Sequence, residues 1–315
     1  KKLQKKIAKP LSSVKPLQWN PTKPSESFSF TESNCTKAEF ENSVNIAKEH
    51  ISNGDVFQLV LSQRLETTVQ NHPFDLYRSL RIVNPSPYMA FFNFGDWQLI
   101  GSSPEVMVKA EPSKEGICAS LRPIAGTRPR GINDEEDQQL QKDLLDDPKE
   151  VSEHVMLVDL GRNDLGRVCK PGSVEVKELM VIEKYSHVMH IVSQVEGLLL
   201  KDKDVWDLLM ASFPAGTVSG APKIRAMQLI NKLESQPRGP YSGVYGSVDL
   251  RGALNTAITI RTMIVSQESE GGSRVKVQAG AGIVADSIPA SEYQETLNKA
   301  KGMLSSIACL ESPAL

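Results

Sequence analysis

Apolar residues along this chain recur either every three to four positions, as on one face of a helix, or at every second position, as on one face of a strand. This spacing predicts a helix or a strand for most stretches of the chain. Thr36 followed by Glu39 forms a capping box, which predicts the start of a helix that ends before Gly54. Asp147 and Pro148 are typical of the N-cap and first position of a later helix. The adjacent Gly95 and Asp96 predict a hairpin between two short strands.

The pattern predicts helices at residues 36–53, 74–83, 134–145, 148–158 and 222–233 and from 289 onward, and strands at 56–65, 88–94, 97–102, 106–110, 117–123, 173–183, 188–198, 242–250, 255–266 and 274–279. Neighbouring strands without regular βαβ alternation favour an α+β fold. Residues 1–34, rich in Lys, Pro and Ser, are interpreted as a linker or the remnant of a longer N-terminal portion. A single catalytic domain is expected over 35–310, followed by a short tail at 311–315.

Composition narrows the class of protein. Of 315 residues, 40% are hydrophobic and 23% charged, which is ordinary for a soluble globular protein. The net charge of -2 provides no basic field, so a nucleic-acid partner is not expected. No apolar run is long enough for a bilayer and the start lacks a signal peptide, so neither a membrane nor secretion is expected. The four separated cysteines, without a metal or redox motif, predict reduced thiols in the cytoplasm or an organelle: Cys35, Cys118, Cys169 and Cys309.

Two predicted helices each carry a pair of carboxylates. Glu150 and Glu153 are three residues apart, as are Glu292 and Glu295, so each pair lies on one helix face. Two such faces in opposition would form an oxygen-rich site suited to Mg²⁺. A solvated helix face explains each pair taken alone equally well, because Lys299 continues the second charged stripe beside an apolar one.

Small residues mark two further segments. Residues 213–223 form a loop that leads into a helix, and such loops can present backbone N–H groups to an anion. Residues 279–282 would let a ligand approach the backbone closely. Taken alone, each segment is more typical of a tight turn than of a binding loop. Arg261 lies in an apolar, strand-like run, where an inward side chain would suit a carboxylate and an outward one would be solvated. The residue pattern does not favour His190 over His187.

Taken together and in order, a set of motifs resembles the chorismate-utilizing enzymes, and among them the large subunits that form anthranilate. The resemblance runs from about residue 36 to 308 and is carried by the segments 103–105, 123–128, 153–160, 187–190, 213–223, 280–286 and 292–299. It implies large, mostly antiparallel sheets packed in a layered sandwich and flanked by helices. The implied reaction is Mg²⁺-dependent: ammonia adds to chorismate, a hydroxyl leaves, and pyruvate is eliminated to give anthranilate for tryptophan biosynthesis. A glutamine amidotransferase subunit is the implied source of ammonia.

The resemblance also implies roles for individual residues. Glu153 and Glu295 would bind Mg²⁺ directly, and Glu150 and Glu292 would hold its waters. Glu105 would be the general acid for the departing hydroxyl, which requires a protonated carboxyl. His190 would be the base near the elimination step. The implied substrate contacts are Thr217, Tyr241, Arg261, Gly280, Ala281, Gly282 and Lys299.

Two positions would separate the branches of this family. Relatives that add water carry Lys in the place of Gln58, and relatives that make aminodeoxychorismate carry Lys in the place of Ala125. Because this chain has Gln and Ala at these two positions, the resemblance favours ammonia addition with release of anthranilate. Part of a tryptophan inhibitor site is implied at Asn84, Pro87, Tyr88 and Met89. The alternatives are an aminodeoxychorismate or isochorismate synthase, and a non-catalytic module that binds tryptophan or a partner.

Overall fold

Two antiparallel sheets organise the fold. The computed structural model describes residues 17, 19–20, 30–185, 188–268 and 271–310; the predicted tail and most of the predicted linker lie outside them. The strands in these described ranges are β1 (Glu32–Ser33), β2 (Gln58–Val69), β3 (Tyr88–Asn93), β4 (Trp97–Ser103), β5 (Val106–Ser113), β6 (Gly116–Leu121), β7 (Ile124–Pro129), β8 (Glu175–Lys184), β9 (Val188–Leu198), β10 (Gly220–Ala221), β11 (Val244–Val248), β12 (Leu254–Ile258), β13 (Thr262–Gln267) and β14 (Ser273–Ile283).

The first sheet has the order β1-β2-β14-β13-β4-β3, with β10 also paired to β2. The second sheet has the order β11-β12-β5-β6-β9-β7, with β8 on the other side of β9. All of these pairs are antiparallel. The long pairing of β14 with β2 fixes the register of the first sheet and places Gly282 opposite Val60. The layered α+β prediction is confirmed.

Helices cover the sheets. In the described ranges they are α1 (Lys37–Ser52), α2 (Pro73–Val83), α3 (Asp134–Asp146), α4 (Pro148–Gly166), α5 (Val205–Ser212), α6 (Lys223–Leu233) and α7 (Pro289–Ala308). The predicted caps are present: Thr36 and Glu39 form their capping box, and Asp147 accepts from the backbone N–H groups of Lys149 and Glu150. None of the described helices is long and apolar enough to cross a membrane.

Apolar residues under each layer of helices hold the elements together. On the first sheet, Val275 and Val277 pack with Ala300 and Met303 of α7. On the second, α4 and α5 cover a separate cluster that includes Leu165 and other fully buried side chains. A fully buried Val, Leu or Met side chain contributes about 1.5–3 kcal/mol when it leaves water. The rigid layers therefore position the residues that project from their ends.

Four sequence predictions need correction. Residues 124–129 form β7, and residues 205–212 form α5, although neither was predicted. The predicted strand 255–266 is two strands in different sheets, because the chain breaks between Ile258 and Thr262. The apolar stripe expected on α7, at Tyr293, Leu297, Ala300, Leu304 and Ile307, is only partly its buried face: Ala300 and Ile307 are buried, but the face also includes Glu292 and Thr296, while Tyr293 is half-buried.

The cysteine prediction is confirmed in part, since all four are free. A short piece of the predicted linker is tied to the domain. Trp19 pairs with Leu310 through an isolated bridge, and its indole Nε1–H donates to Ser79 Oγ over 3.1 Å.

Candidate functional site

The predicted site residues gather where α4, which covers the second sheet, meets β2 and β14 of the first. Gln58 Nε2 donates to Glu153 Oε1 over 2.9 Å and so joins the two layers. Gly282 lies directly beneath this contact, because a Cβ there would stand 2.6 Å from Gln58 Nε2. Gln58 is 3% exposed, and its Oε1 has no hydrogen-bond partner within the described protein.

Glu105 lies on the short connection between β4 and β5. Its backbone N–H donates to Ser103 Oγ over 3.4 Å. The carboxyl is enclosed by protein although the residue keeps partial exposure toward a cavity, and this burial raises its pKa to about 7. The nearby Thr217 hydroxyl, Lys299 and Arg261 oppose that rise without cancelling it. Near neutral pH the carboxyl is therefore divided between its protonated and ionised forms.

Arg261 occupies the break between β12 and β13 rather than the interior of a strand. Its backbone has a φ of 48°, which an L-residue with a side chain adopts at a cost. The residue is exposed overall, yet surrounding protein lowers the pKa of its guanidinium, and Glu105 partly restores it. Arginine stays charged regardless. The turn thus holds a fixed positive charge near Glu105 and His190.

Tyr241 and Lys299 both contact β14 at Gly280. A Cβ on Gly280 would stand 2.6 Å from Tyr241 Oη, so glycine leaves room for the phenol. Burial raises the pKa of Tyr241 to about 12, which keeps its hydroxyl a donor. Lys299 Nζ donates to the Gly280 carbonyl over 3.0 Å. Ala281 is fully buried in the core, so this predicted contact has no surface open to a ligand in the structure.

His190 on β9 has a defined tautomer. Its Nδ1 lies 3.1 Å from the Gly126 carbonyl, and a carbonyl can only accept, so Nδ1 carries the proton. Nδ1 also lies 3.0 Å from Thr127 Oγ1. Burial lowers the pKa of the imidazole, with Arg261 contributing in the same direction. The ring is therefore neutral near pH 7 with Nε2 free to accept a proton. His187 lies outside the described residues.

Both acidic pairs lie near this region. Burial raises the pKa of Glu153, and the neighbouring Glu150 adds to that rise. Burial also raises the pKa of Glu292, to which Glu295 contributes. Both of these carboxyls are influenced by Lys149 and by Lys299. The solvated-face interpretation is therefore wrong for Glu292, which is 7% exposed.

The four carboxylates nevertheless do not converge on one point. No group of three or more Asp, Glu, His or Cys side chains in the described ranges is arranged to hold a metal ion. Glu295 Oε1 lies 2.6 Å from Lys299 Nζ, and Glu150 Oε1 lies 3.3 Å from Arg128 Nη1. A cation at this place would have to compete with both ion pairs.

The remaining predicted positions are local features of the two sheets. Ala125 is half-buried on β7, beside a bulge that precedes Thr127. The loop 213–223 folds tightly: a Cβ on Gly220 would stand 2.2 Å from the Gln58 carbonyl, so its small residues serve packing. Thr217, in a 3₁₀ turn of this loop, has a buried hydroxyl beside the Glu105 carboxyl.

The predicted inhibitor residues lie along α2 and β3, apart from this cluster. Asn84 caps α2, and its carbonyl accepts from Ser102 Oγ over 2.5 Å. Tyr88 Oη donates to Asn255 Oδ1 over 3.1 Å. Pro87 and Met89 flank it, Pro87 in the preceding turn and Met89 against the core of the first sheet.

Three contributing residues were missed by the sequence prediction. Lys149 acts on both acidic pairs. Arg128 pairs with Asp147 and Glu150. Tyr245 ties the two sheets, since its Oη accepts from the Ser103 N–H over 3.2 Å and donates to the Tyr88 carbonyl over 2.8 Å. Of these three, only Lys149 could have been recognised from the sequence, because it directly precedes Glu150.

Comparisons with known proteins agree with this arrangement. The model of the chorismate binding enzyme family matches residues 1–305. Anthranilate synthase component 1 of Synechocystis sp. is 66% identical over 279 residues, which cover 88% of this chain and 55% of that protein. The chloroplastic anthranilate synthase alpha subunit 1 of Oryza sativa subsp. indica is 49% identical over 293 residues, 89% of this chain and 50% of that protein.

A solved structure shows the same likeness. The crystal structure of anthranilate synthase component I from Streptococcus pneumoniae superposes with a TM-score of 0.82 at 45% identity, covering 96% of this chain and 64% of that one. The chain thus spans about half the length of the curated relatives it matches.

Proposed function

The chain belongs to the chorismate-binding enzyme family, and we propose that it carries the chemistry of an anthranilate synthase large subunit, a lyase. It would convert chorismate and ammonia to anthranilate and pyruvate. The observation that carries this proposal is a partly protonated Glu105 beside Arg261 and a neutral His190. An acid and a base with separated pKa values are what a paired protonation and deprotonation requires.

Each side chain has a definite task in this proposal. Glu105 donates its proton to the hydroxyl that leaves the ring, so that it departs as water. Arg261 and the Tyr241 hydroxyl bind a substrate carboxylate, for which a guanidinium is suited. His190 Nε2 takes a ring proton when pyruvate is eliminated. Gln58, a neutral amide, cannot act as a base toward water, which leaves ammonia as the nucleophile.

We propose Mg²⁺ as the cofactor. Carboxylate oxygens are the donors it prefers, and the four glutamates provide them. Glu153 and Glu295 would hold it, with Glu150 and Glu292 at its waters; bound there, it would neutralise the carboxylate of the substrate ring. The raised pKa values of Glu153 and Glu292 support this assignment, because a cation would relieve the like-charge contacts that contribute to them.

The partner and compartment are also proposals. Relatives named component 1 imply a second component, which supports a glutamine amidotransferase as the supplier of ammonia. Tryptophan remains the proposed inhibitor at the α2–β3 face. We propose the cytoplasm as the location, or the plastid stroma if the source is photosynthetic, where the chloroplastic rice relative offers a precedent.

One assay tests the function as a whole. The protein is incubated with chorismate and Mg²⁺, with either an ammonium salt or glutamine, and the product is followed by fluorescence and chromatography. We expect anthranilate with ammonium and none with glutamine alone. A non-fluorescent amino or hydroxy product would instead assign the chain to an aminodeoxychorismate or isochorismate synthase, and no product at all would favour a non-catalytic module.

Replacing His190 with alanine is expected to slow pyruvate release by about 10²-fold, because a positioned base contributes at least that much. In the parent protein, activity should fall as pH drops below 6.5, since burial lowers the pKa of His190 from that value and only the neutral ring accepts a proton. Measuring pyruvate and anthranilate in the same reaction, across this pH range, checks both the effect of the substitution and the pH dependence. His72→Ala, on a different element, is the control; a variant altered only in Mg²⁺ affinity would contradict the base role.

The double substitution of Gln58 and Ala125 by lysine is expected to divert product away from anthranilate. Lysine at position 58 would place an amine against Glu153, and lysine at 125 would add a nucleophile on β7. Product analysis after complete chorismate consumption measures the diversion. The two single variants serve as controls. Unaltered product in the double variant would mean that these positions do not choose the nucleophile.

A further inference from the structure

A cavity extends beside Glu105 along one side of α4. Among the clustered side chains of the candidate site, only Glu105 and Thr217 line it. Its other walls come from α4, the start of β5, residues 121–123, Ile258, and the end of α5 with the loop that follows it. Arg122 is the charged residue of these added walls, and its guanidinium is paired with Glu183 and Gln194. The cavity reaches along α4 from Leu157 to Asp164. The helix rises about 10 Å between these two residues, so the cavity is about 10 Å long in this direction.

Two buried hydroxyls line this cavity. Ser212 Oγ has no hydrogen-bond partner in the described part of the chain, and Thr217 Oγ1 lies beside the Glu105 carboxyl, whose pKa it lowers. Ser212 as a whole is 1% exposed. A buried hydroxyl left unpaired costs about 1–3 kcal/mol. Polar cavities with such groups are where proteins hold ordered water.

The dimensions suit a short row of water molecules. About 50 Å³ is open to the centres of water-sized molecules. At about 10–15 Å³ each, that space admits roughly three to five waters. Hydrogen-bonded oxygens are about 2.8 Å apart, so such a row spans roughly 10 Å. This length matches the separation of the two ends.

Asp164 lines the cavity at the other end of this stretch of α4 and forms an ion pair. Asp164 Oδ2 lies 2.7 Å from Lys223 Nζ, and each side chain is 11% exposed. Lys223 Nζ also donates to the Ser212 carbonyl over 3.2 Å, which places Ser212 beside this pair. Burial raises the pKa of Asp164, with Lys223 and Arg167 opposing it. Around Glu105, the facing groups are Thr217, Lys299, Arg261 and Tyr241.

We propose that this cavity holds a hydrogen-bonded row of water molecules that returns a proton to Glu105 from the Asp164–Lys223 end. The inference rests on the proposed function, in which Glu105 gives up one proton per turnover. Its O–H bond breaks as the leaving hydroxyl gains that proton and departs as water. The resulting carboxylate takes a proton from the adjacent water, each water from the next, and the last from solvent near Asp164.

The first test does not depend on activity. A crystal structure that resolves ordered water should show about three to five molecules linked from Thr217 Oγ1 past Ser212 Oγ to Asp164. In Ser212→Ala, the water bound to that hydroxyl should be lost. A dry cavity, or waters not joined to one another, would overturn the proposal even if the protein makes anthranilate. A continuous row of water molecules would support the water-filled cavity even if the protein makes no anthranilate.

The second test narrows the cavity. In Gly161→Ala the new methyl would stand 3.3 Å from Leu121 Cδ1, and both residues line the cavity; Gly166→Ala, on the same helix with nothing within 4 Å, is the matched control. With ammonium as nitrogen source, Gly161→Ala and Ser212→Ala should lower kcat several-fold and increase its solvent isotope effect, with the KM for chorismate unchanged. Unchanged kcat and isotope effect would overturn the proposal. A raised KM for ammonium would do so too, because the cavity would then carry ammonia.

Discussion

Replacing Glu105 with glutamine is expected to lower kcat for anthranilate formation by about 10²–10⁴-fold, the usual contribution of a positioned general acid. Glutamine keeps the shape of the side chain but has no proton to give. In the parent protein the acid is present below its pKa of about 7 and is lost as pH rises through that value. We therefore expect activity to decline on the alkaline side near pH 7, and the variant to lack that decline.

The measurement is a pH series of kcat/KM at constant free ammonia, so that titration of ammonium does not mask the enzyme's own groups. Glu115→Gln, in the exposed turn between β5 and β6, is the matched control. Because His190 must be neutral to act as the base, the pH profile of the parent protein should also fall on the acid side and so be bell-shaped. An unchanged alkaline limb in Glu105→Gln would remove the acid role from this residue.

Glu295→Gln is expected to reduce Mg²⁺-dependent turnover by about 10²–10³-fold, since a catalytic metal supplies several kcal/mol. The fold should be unaffected, because the side chain is 46% exposed and its one ion pair is with Lys299 on the same helix. The variant also frees Lys299, so chorismate affinity needs to be followed separately from Mg²⁺ affinity.

Calorimetric titration with Mg²⁺ and steady-state kinetics together decide this prediction. Thermal unfolding without metal should match the parent. Glu49→Gln, an exposed carboxylate on α1, provides the control for loss of one negative charge. Near-normal turnover and Mg²⁺ affinity in Glu295→Gln would exclude this residue as a metal ligand.

Local signals were the part of the fold that the sequence predicted well. The Thr36 capping box and the Asp147-Pro148 start are interactions within one helical turn, so the residues alone indicate them. The hairpin at Gly95 is local for the same reason. Helix α5 was missed although Asp204 and Asp207 form a capping box, because its few residues are mostly apolar and lack a clear period.

Long-range contacts were beyond prediction. No local pattern indicates that Gln58 meets Glu153, since the two lie 95 positions apart and in different layers. The pairing of Glu150 with Arg128 depends likewise on how α4 packs against β7. By contrast, the ion pair of Glu295 with Lys299 follows the i,i+4 rule and could have been predicted. Pairs along one helix were thus accessible, whereas partners across layers required the structure.

At Arg261, the left-handed backbone lowers the stability of the folded chain, whereas the arginine side chain serves the proposed substrate binding. Glycine adopts that conformation without cost, so Arg261→Gly would relax the turn and also remove a desolvated charge. A library sorted only for soluble, protease-resistant protein would therefore enrich glycine here. A library sorted for growth that depends on the product would retain arginine. The difference in the frequencies of glycine and arginine at position 261 between the two selected libraries would measure how much folding free energy the chain gives up in order to bind its substrate.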